Sequence, residues 1–174
     1  LKLTEAFLAR TLTIIIDRDG VLNKKMPRAN YVCKWEQFEW LPGSIDALVK
    51  LTQAGYQILV VSNQAGIARG AFTEADLQKF HKHMISDIEN AGGKIEAIYY
   101  CPHNWDEGCE CRKPKPGMLF KAQRDHHLDL STTYFLGDDP IDIQCGEAAG
   151  SLTGLVTKEK PLIAWVDEII NKHS

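Results

Sequence analysis

Ile14-Ile15-Ile16-Asp17-Arg18-Asp19-Gly20-Val21-Leu22-Asn23 is the stretch that decides the fold. Three β-branched apolar residues in a row read as a buried strand. That strand ends in two carboxylates two positions apart, and Gly20 follows at once. In extended backbone, residues i and i+2 project to the same side. Asp17 and Asp19 therefore face one pocket at the carboxyl end of a strand, where ligands bind in open α/β sheets. One carboxylate can attack an electrophile while the other transfers protons. An acidic strand-to-turn junction would use the same residues, because Asp and Gly are common in turns. The ends of the other strands decide between the two.

Outward from this stretch, strand-like and helix-like segments alternate. Strands are expected at 12–16, 57–62, 95–101, 133–137 and 152–156, and helices at 44–54, 74–91, 117–127, 141–149 and 162–171. Pro42-Gly43-Ser44 signals a helix start with Ser44 as N-cap. Thr73-Glu74-Ala75-Asp76 starts the next helix with an acidic first turn, which complements the helix dipole, and Gly92-Gly93 ends it. Regular alternation of this kind predicts a doubly wound parallel sheet with helices on both faces. No repeat or low-complexity linker interrupts it, so one domain spanning 1–174 is expected. Two segments break the rhythm: 24–40, which carries Lys24, Lys25, Arg28, Tyr31, Trp35 and Trp40, and the proline- and cysteine-rich 102–116. Loops of ~15 residues in compact domains are usually functional or disordered. Both follow strands and can sit over the same sheet edge as Asp17, and neither is long enough for a large cap domain.

Composition narrows the class. With 174 residues, 44% hydrophobic and 25% charged, the chain can bury a real core. A net charge of -3 gives no support for nucleic-acid or membrane-surface binding. No apolar run approaches the ~20 residues of a membrane span, and residues 1–10 lack the basic start and apolar centre of a secretion signal. Of five cysteines, Cys101, Cys109 and Cys111 fall within eleven residues. That clustering suits a metal site in a reducing cytoplasm better than a disulfide framework. Cys33 and Cys145 fit no ligand spacing. His81, His83, His126 and His127 lie on expected helices and read as surface or satisfied residues.

Three further strand ends carry polar groups. Val61-Ser62-Asn63-Gln64-Ala65-Gly66 offers a hydroxyl, a side-chain amide and turn N–H groups that can hold phosphate oxygens. Gly137-Asp138-Asp139-Pro140-Ile141-Asp142 places Asp138 and Asp142 to ligate a hard cation; magnesium prefers one or two carboxylates with phosphate and water. Several carboxylates in one pocket would repel a phosphate dianion, so a fixed cation is needed. Lys113, in Arg112-Lys113-Pro114-Lys115, is the candidate, whereas Lys115 reads as solvated. Cys101-x-His103-x5-Cys109-x-Cys111 is a complete tetrahedral zinc set; four protein ligands leave no open position, so that zinc would be structural. Trp35 and Trp40 could line a pocket or pack beneath the insert.

The order of these motifs resembles the haloacid-dehalogenase-like phosphatases over residues 13–156. The stretches 62–70 and 101–118 are similar to the heptose-bisphosphate phosphatases of that group, with the histidinol-phosphate phosphatases as close cousins. The resemblance implies that Asp17 attacks phosphorus and forms an aspartyl-phosphate, while Asp19 protonates the leaving oxygen and then activates water. It implies that Asp17, the Asp19 carbonyl and Asp138 hold magnesium, and that Ser62 and Lys113 bind the phosphoryl group. Asn63, Arg112 and the Lys25–Arg28 loop would contact the rest of a sugar phosphate, the 7-phosphate of D-glycero-D-manno-heptose 1,7-bisphosphate being the group removed. The implied enzyme is a cytoplasmic monomer with no nucleic-acid or membrane partner. Two alternatives stand beside it: a histidinol-phosphate phosphatase, and a non-catalytic binding module ordered by zinc. Heptose-bisphosphate enzymes often carry a lysine after the metal-binding aspartate; here that place is Asp139.

Overall fold

The computed structural model describes residues 12–27, 30–32 and 34–173. Five strands form one parallel sheet: β1 (Thr13–Asp17), β2 (Gln57–Asn63), β3 (Ala97–Cys101), β4 (Tyr134–Gly137) and β5 (Leu152–Leu155), in the order β3-β2-β1-β4-β5. The helices are α1 (Ser44–Gln53), α2 (Glu74–Asn90), α3 (Gly117–His126), α4 (Pro140–Ala148) and α5 (Leu162–His173). Each expected strand and helix is present, with ends shifted by a residue or two. Among the described residues no helix is long and apolar enough to cross a membrane.

Pleating divides the isoleucine run between two cores. Ile14 and Ile16 join Ile58, Val60 and Leu136 under α1, α2 and α5, through Leu48, Met84 and Val166. Ile15 joins Leu59, Val61 and Phe135 against Leu119 and Ala122 of α3 and Cys145 of α4. Burial on both faces explains why the strand reads as continuous apolar sequence rather than as an alternation. The chain leaves β1 toward β2 and β3, then returns to the other side of β1 for β4 and β5. That reversal opens a crevice at the carboxyl ends of β1 and β4, the usual ligand position in such sheets.

The insert after β1 is anchored by its aromatic residues. Trp35 stacks on Phe38 with ring centroids 4.8 Å apart, and both rings meet Phe80 of α2 edge-on. The Trp40 Nε1 donates to Asp87 at 3.1 Å. Of the two roles open to these tryptophans, packing is the one observed. The start of α1 corrects the expected cap. Gly43 is the N-cap, in the left-handed region at φ 76°, and Ser44 is already helical. The buried Ser44 hydroxyl instead donates toward the carbonyls of Leu22 and Leu41 and ties the insert's two ends to the helix. Thr73 and Asp76 form a reciprocal capping box on α2, and Asp139 and Asp142 form another on α4.

Candidate active site

Asp17 ends β1 with 5% of its surface exposed. Gly20 follows with φ 93°, and a Cβ there would collide with the Asp138 carboxylate; one at Gly137 would collide with Asp142. Glycine at both positions lets the ends of β1 and β4 bring their carboxylates together. Asp17, Asp138 and Asp142 each place an oxygen within 4.8 Å of the other two. Lys113 reaches into this cluster, its Nζ 2.8 Å from Asp17 and 2.6 Å from Asp142, with 3% exposure. Burial pushes the Asp17 pKa up to about 7; Lys113 opposes that, while Asp142 and Asp19 add to it. Burial also disfavours the Lys113 ammonium, but the two adjacent carboxylates outweigh it and hold its pKa above the usual lysine range.

Asp19 sits at the rim of the cluster in a cage of donors. Arg18 Nη2 contacts both of its oxygens at 2.9 and 2.8 Å, Asn23 donates to one at 2.9 Å and Gln64 to the other at 3.0 Å. Burial favours its neutral form, but the Arg18 charge and these hydrogen bonds together lower its pKa. Gln64 also donates to the buried Ser62 hydroxyl at 2.7 Å. Asn63 clamps the third loop: its amide donates to the Lys113 carbonyl at 3.2 Å and accepts from the Lys113 N–H at 3.1 Å. Both ends of the Asn63 amide are thus occupied by backbone, although the residue also lines the pocket above Asp19.

Lys25 places its Nζ 3.0 Å from Asp138 and 3.4 Å from Asp139. The insert thereby brings a lysine to the place beside Asp138 where the resemblance leads one to expect a lysine at position 139. Two concavities flank it. One of about 180 Å³ is lined by Arg18, Asp19, Lys25, Tyr31, Asn63 and Gln64. A larger, more apolar one of about 610 Å³ runs past Asp138 along Val21, Leu41, Val156 and Leu162. Arg112 lines a third with Trp105 and Lys113, and donates to the His103 carbonyl at 3.4 Å. Arg28 and Cys33 lie outside the described residues. Lys115 is half-exposed and pairs with Glu110, in keeping with its solvated reading.

The donor sets fit two kinds of cation. Five carboxylates (Asp17, Asp19, Asp138, Asp139, Asp142) face three cations (Arg18, Lys25, Lys113). A divalent ion with oxygen preference would offset the excess. Asp142 belongs to this cluster by proximity, yet its Oδ1 serves Lys113 and its Oδ2 accepts the Asp139 N–H. Both Asp138 oxygens face the half-exposed Lys25, which can give way to an ion, so Asp17 and Asp138 are the candidate ligands. The thiol–imidazole set is compact. Cys101, His103 Nδ1, Cys109 and Cys111 stand 3.2–3.6 Å apart in the pairs Cys101–His103, Cys101–Cys109, Cys101–Cys111, Cys109–Cys111 and His103–Cys111. Tetrahedral ligands at zinc distances stand roughly 3.5–3.8 Å apart, so the set matches with slight contraction.

Sequence reading passed over several members of this site. Arg18 draws no attention between two aspartates, though alternation puts it on the opposite face, toward α2. Gln64 lies two residues past Ser62, and the same rule could have joined them. The pairings of Lys113 with Asp142 and of Arg18 with the buried His81 depend on chain crossings that no local pattern carries.

A β-strand nucleophile candidate beside a buried lysine, opposite a Gly-Asp at the switch point, defines a phosphatase of the haloacid-dehalogenase-like class. Residues 13–162 match the sequence model of the polynucleotide kinase 3 phosphatase family. The D-glycero-beta-D-manno-heptose-1,7-bisphosphate 7-phosphatase of Pseudomonas putida is 40% identical over 147 residues, 84% of this chain and 83% of that one. The alpha-anomer enzyme of Campylobacter jejuni is 41% identical over 155 residues, 87% and 86% of the two chains. The crystal structure of D,D-heptose 1,7-bisphosphate phosphatase from B. bronchiseptica, complexed with magnesium and phosphate, superposes with a TM-score of 0.88 at 33% identity, covering 93% of this chain and 99% of that one. The chain belongs to this phosphatase family, and the relatives named here are heptose-1,7-bisphosphate 7-phosphatases.

Proposed function

We propose that the protein is a magnesium-dependent phosphomonoesterase that removes the 7-phosphate of D-glycero-D-manno-heptose 1,7-bisphosphate. The observation that carries this is the buried Asp17–Lys113–Asp142 cluster facing Asp138 across the switch point, in a chain about 40% identical to enzymes named for that reaction. An Asp17 oxygen bonds to phosphorus as the bond from phosphorus to the sugar oxygen breaks, and Asp19 gives its proton to that oxygen. Water then bonds to phosphorus while giving its proton back to Asp19, the Asp17–phosphorus bond breaks, and phosphate leaves with the enzyme restored. Ser62 and Lys113 hold the non-bridging oxygens. The donors around Asp19 favour its carboxylate, which suits the second half; the phosphoryl dianion bound beside it raises its pKa for the first. Asp17, Asp138 and the Asp19 carbonyl would hold magnesium, which supplies charge neutralisation at the transferring group.

Lys25, Arg112 and Arg28 are assigned to the remainder of the substrate, and Asn63 acts mainly through Lys113. The thiol–imidazole set would hold a structural zinc that shapes the third loop, in a reducing cytoplasm. One phosphatase domain accounts for the chain, working as a monomer on a small sugar phosphate. Relatives of both anomer specificities stand at similar identity, so the anomer is assigned by assay. The test is phosphate release with magnesium from both heptose bisphosphate anomers and histidinol phosphate. Preference for a heptose anomer is expected; preference for histidinol phosphate, or no release at all, would overturn the assignment.

A further inference from the structure

Arg18 is the residue whose presence the fold alone does not explain. It is 1% exposed, between Asp17, the last residue of β1, and Asp19. A guanidinium stripped of water is costly unless its partners are excellent, and a packing role would be met by an apolar side chain. Its partners all lead to one group. Nη2 contacts both Asp19 oxygens at 2.9 and 2.8 Å. The guanidinium carbon lies 4.8 Å from the Phe80 ring centre, and Nη1 stands 3.5 Å from His81 Nε2. Phe80 and His81 are neighbours on α2, so that helix supports the guanidinium from behind. Asn23 and Gln64 each touch one Asp19 oxygen; Arg18 alone spans both through Nη2 while Nη1 faces His81, and a lysine's single nitrogen cannot hold Asp19 and rest on α2 together.

We infer that Arg18 is a positioning residue that fixes the plane of the Asp19 carboxylate toward the leaving-group oxygen, with Phe80 and His81 as its support. Phosphoryl transfer from a sugar ester needs a proton delivered to an alkoxide, and misplacing the donor removes that help. A nitrophenolate leaves without a proton, so its departure does not need Asp19. Hydrolysis of the aspartyl-phosphate needs Asp19 as base whatever the leaving group was. Arg18 therefore matters to two steps and is silent in a third.

This rests on the acid/base role proposed for Asp19, and the experiment separates the two. Full-length Arg18→Lys, Phe80→Leu and Asp19→Asn are mixed rapidly, with magnesium, with heptose 1,7-bisphosphate or 4-nitrophenyl phosphate. Arg18→Lys is expected to slow the first turnover of the sugar ester by on the order of 10²-fold, the scale of a ~1 Å misplacement. It should keep a burst of nitrophenolate near one per enzyme, followed by slow turnover. Asp19→Asn should show the same selectivity more strongly, and Phe80→Leu the same selectivity more weakly. An Arg18→Lys protein that loses both first turnovers equally, or neither, overturns the inference while Asp19→Asn stays selective. Retained sugar-ester turnover in Asp19→Asn overturns the acid/base assignment and the inference with it. If Arg18→Lys does not fold, Phe80→Leu carries the test, since it retains the guanidinium, and equal loss on both substrates there counts against the inference.

Discussion

The floor and the rim of the site are built by different means. The floor, made of Asp17, Ser62, Lys113 and Asp142, is at most 5% exposed and fixed by strand ends and buried ion pairs. The rim, made of the insert after β1 and the loop after β3, is anchored by aromatic packing and by the thiol–imidazole set, and its two halves are tied to each other by exposed hydrogen bonds. Arg69 is its link: Nη1 donates to the Tyr31 hydroxyl and Nε to the Asn104 Oδ1, each at 3.2 Å. Buried charge pairs have one satisfactory arrangement, whereas solvated contacts tolerate several. The floor should therefore govern the chemical step and the rim the fit of the substrate.

The largest effects belong to the floor. Asp17→Asn is expected to lower turnover by on the order of 10⁴-fold or more, because the proposed nucleophile is lost rather than misplaced. Circular dichroism should still report the α/β core. Near-normal phosphate release from the purified variant would break the division at its centre. Asn63→Ala should act one layer out. It removes both hydrogen bonds that set the Lys113 backbone, and a ~1 Å drift of the ammonium can cost on the order of 10²-fold. The loss should fall in kcat; a change confined to KM would move Asn63 to the rim.

Metal binding reports on the floor through pH. Burial holds the Asp17 pKa near 7, and a proton on that carboxylate competes with a cation. Magnesium affinity should be level above pH 7 and fall as pH drops through that value, approaching tenfold per unit below it. The direction follows from the charged form being the ligand. Calorimetric titration at pH 8 and pH 6 checks it, and equal affinity at both would overturn either the raised Asp17 pKa or its place among the ligands.

What was legible in the sequence follows the same line. The strands and the Asp17–Asp19, Ser62 and Asp138 positions could be read because each sits at or just past a strand end, where periodicity, glycine and carboxylate spacing coincide, whereas Lys113, deep in the loop after β3, was legible only through the positive charge that the carboxylates demand. The Cys101–Cys111 set was legible because its ligands are local in the chain. Gly43 rather than Ser44 as the α1 cap was missed because the Ser44 hydroxyl is drawn to the Leu22 and Leu41 carbonyls by the folded insert. The Asp139 departure took on meaning only when the structure placed Lys25 beside Asp138 and Asp139, more than a hundred residues away in sequence. Arg18's support by Phe80 and His81 is likewise a product of packing. Local chemistry was visible, and long-range partnership was not.

Loss of the proposed zinc should fall on the rim. The Lys113 ammonium is already fixed by Asp17 and Asp142, and its backbone by Asn63, so the thiol–imidazole set is not its sole anchor. Cys109→Ser should release zinc and lower the thermal midpoint. It should also raise KM by roughly tenfold through the loosened Arg112 and Asn104, with a smaller change in kcat, a loss of uniform substrate binding. Metal analysis beside steady-state kinetics decides this. A kcat loss on the scale of Asn63→Ala would show that zinc sets the floor as well.

The smallest expected effect is the sharpest test of the rim. Arg69→Gln keeps a polar side chain but cannot bridge Tyr31 and Asn104 together, so the insert and the third loop lose their tie. Exposed contacts of this kind are each worth roughly 0.2–1 kcal/mol, and two of them correspond to a few-fold change in affinity. KM for the heptose bisphosphate should rise by about that factor, with kcat and magnesium affinity unchanged, because none of the floor residues touches Arg69. The small nitrophenyl ester, which does not reach across the rim, should keep its own KM. That contrast between two substrates in one variant separates a rim that grips the sugar from a loop tie that supports the whole site. If both KM values rise together, or kcat falls with them, Arg69 belongs to the structure of the floor, and the boundary drawn between the two regions is in the wrong place.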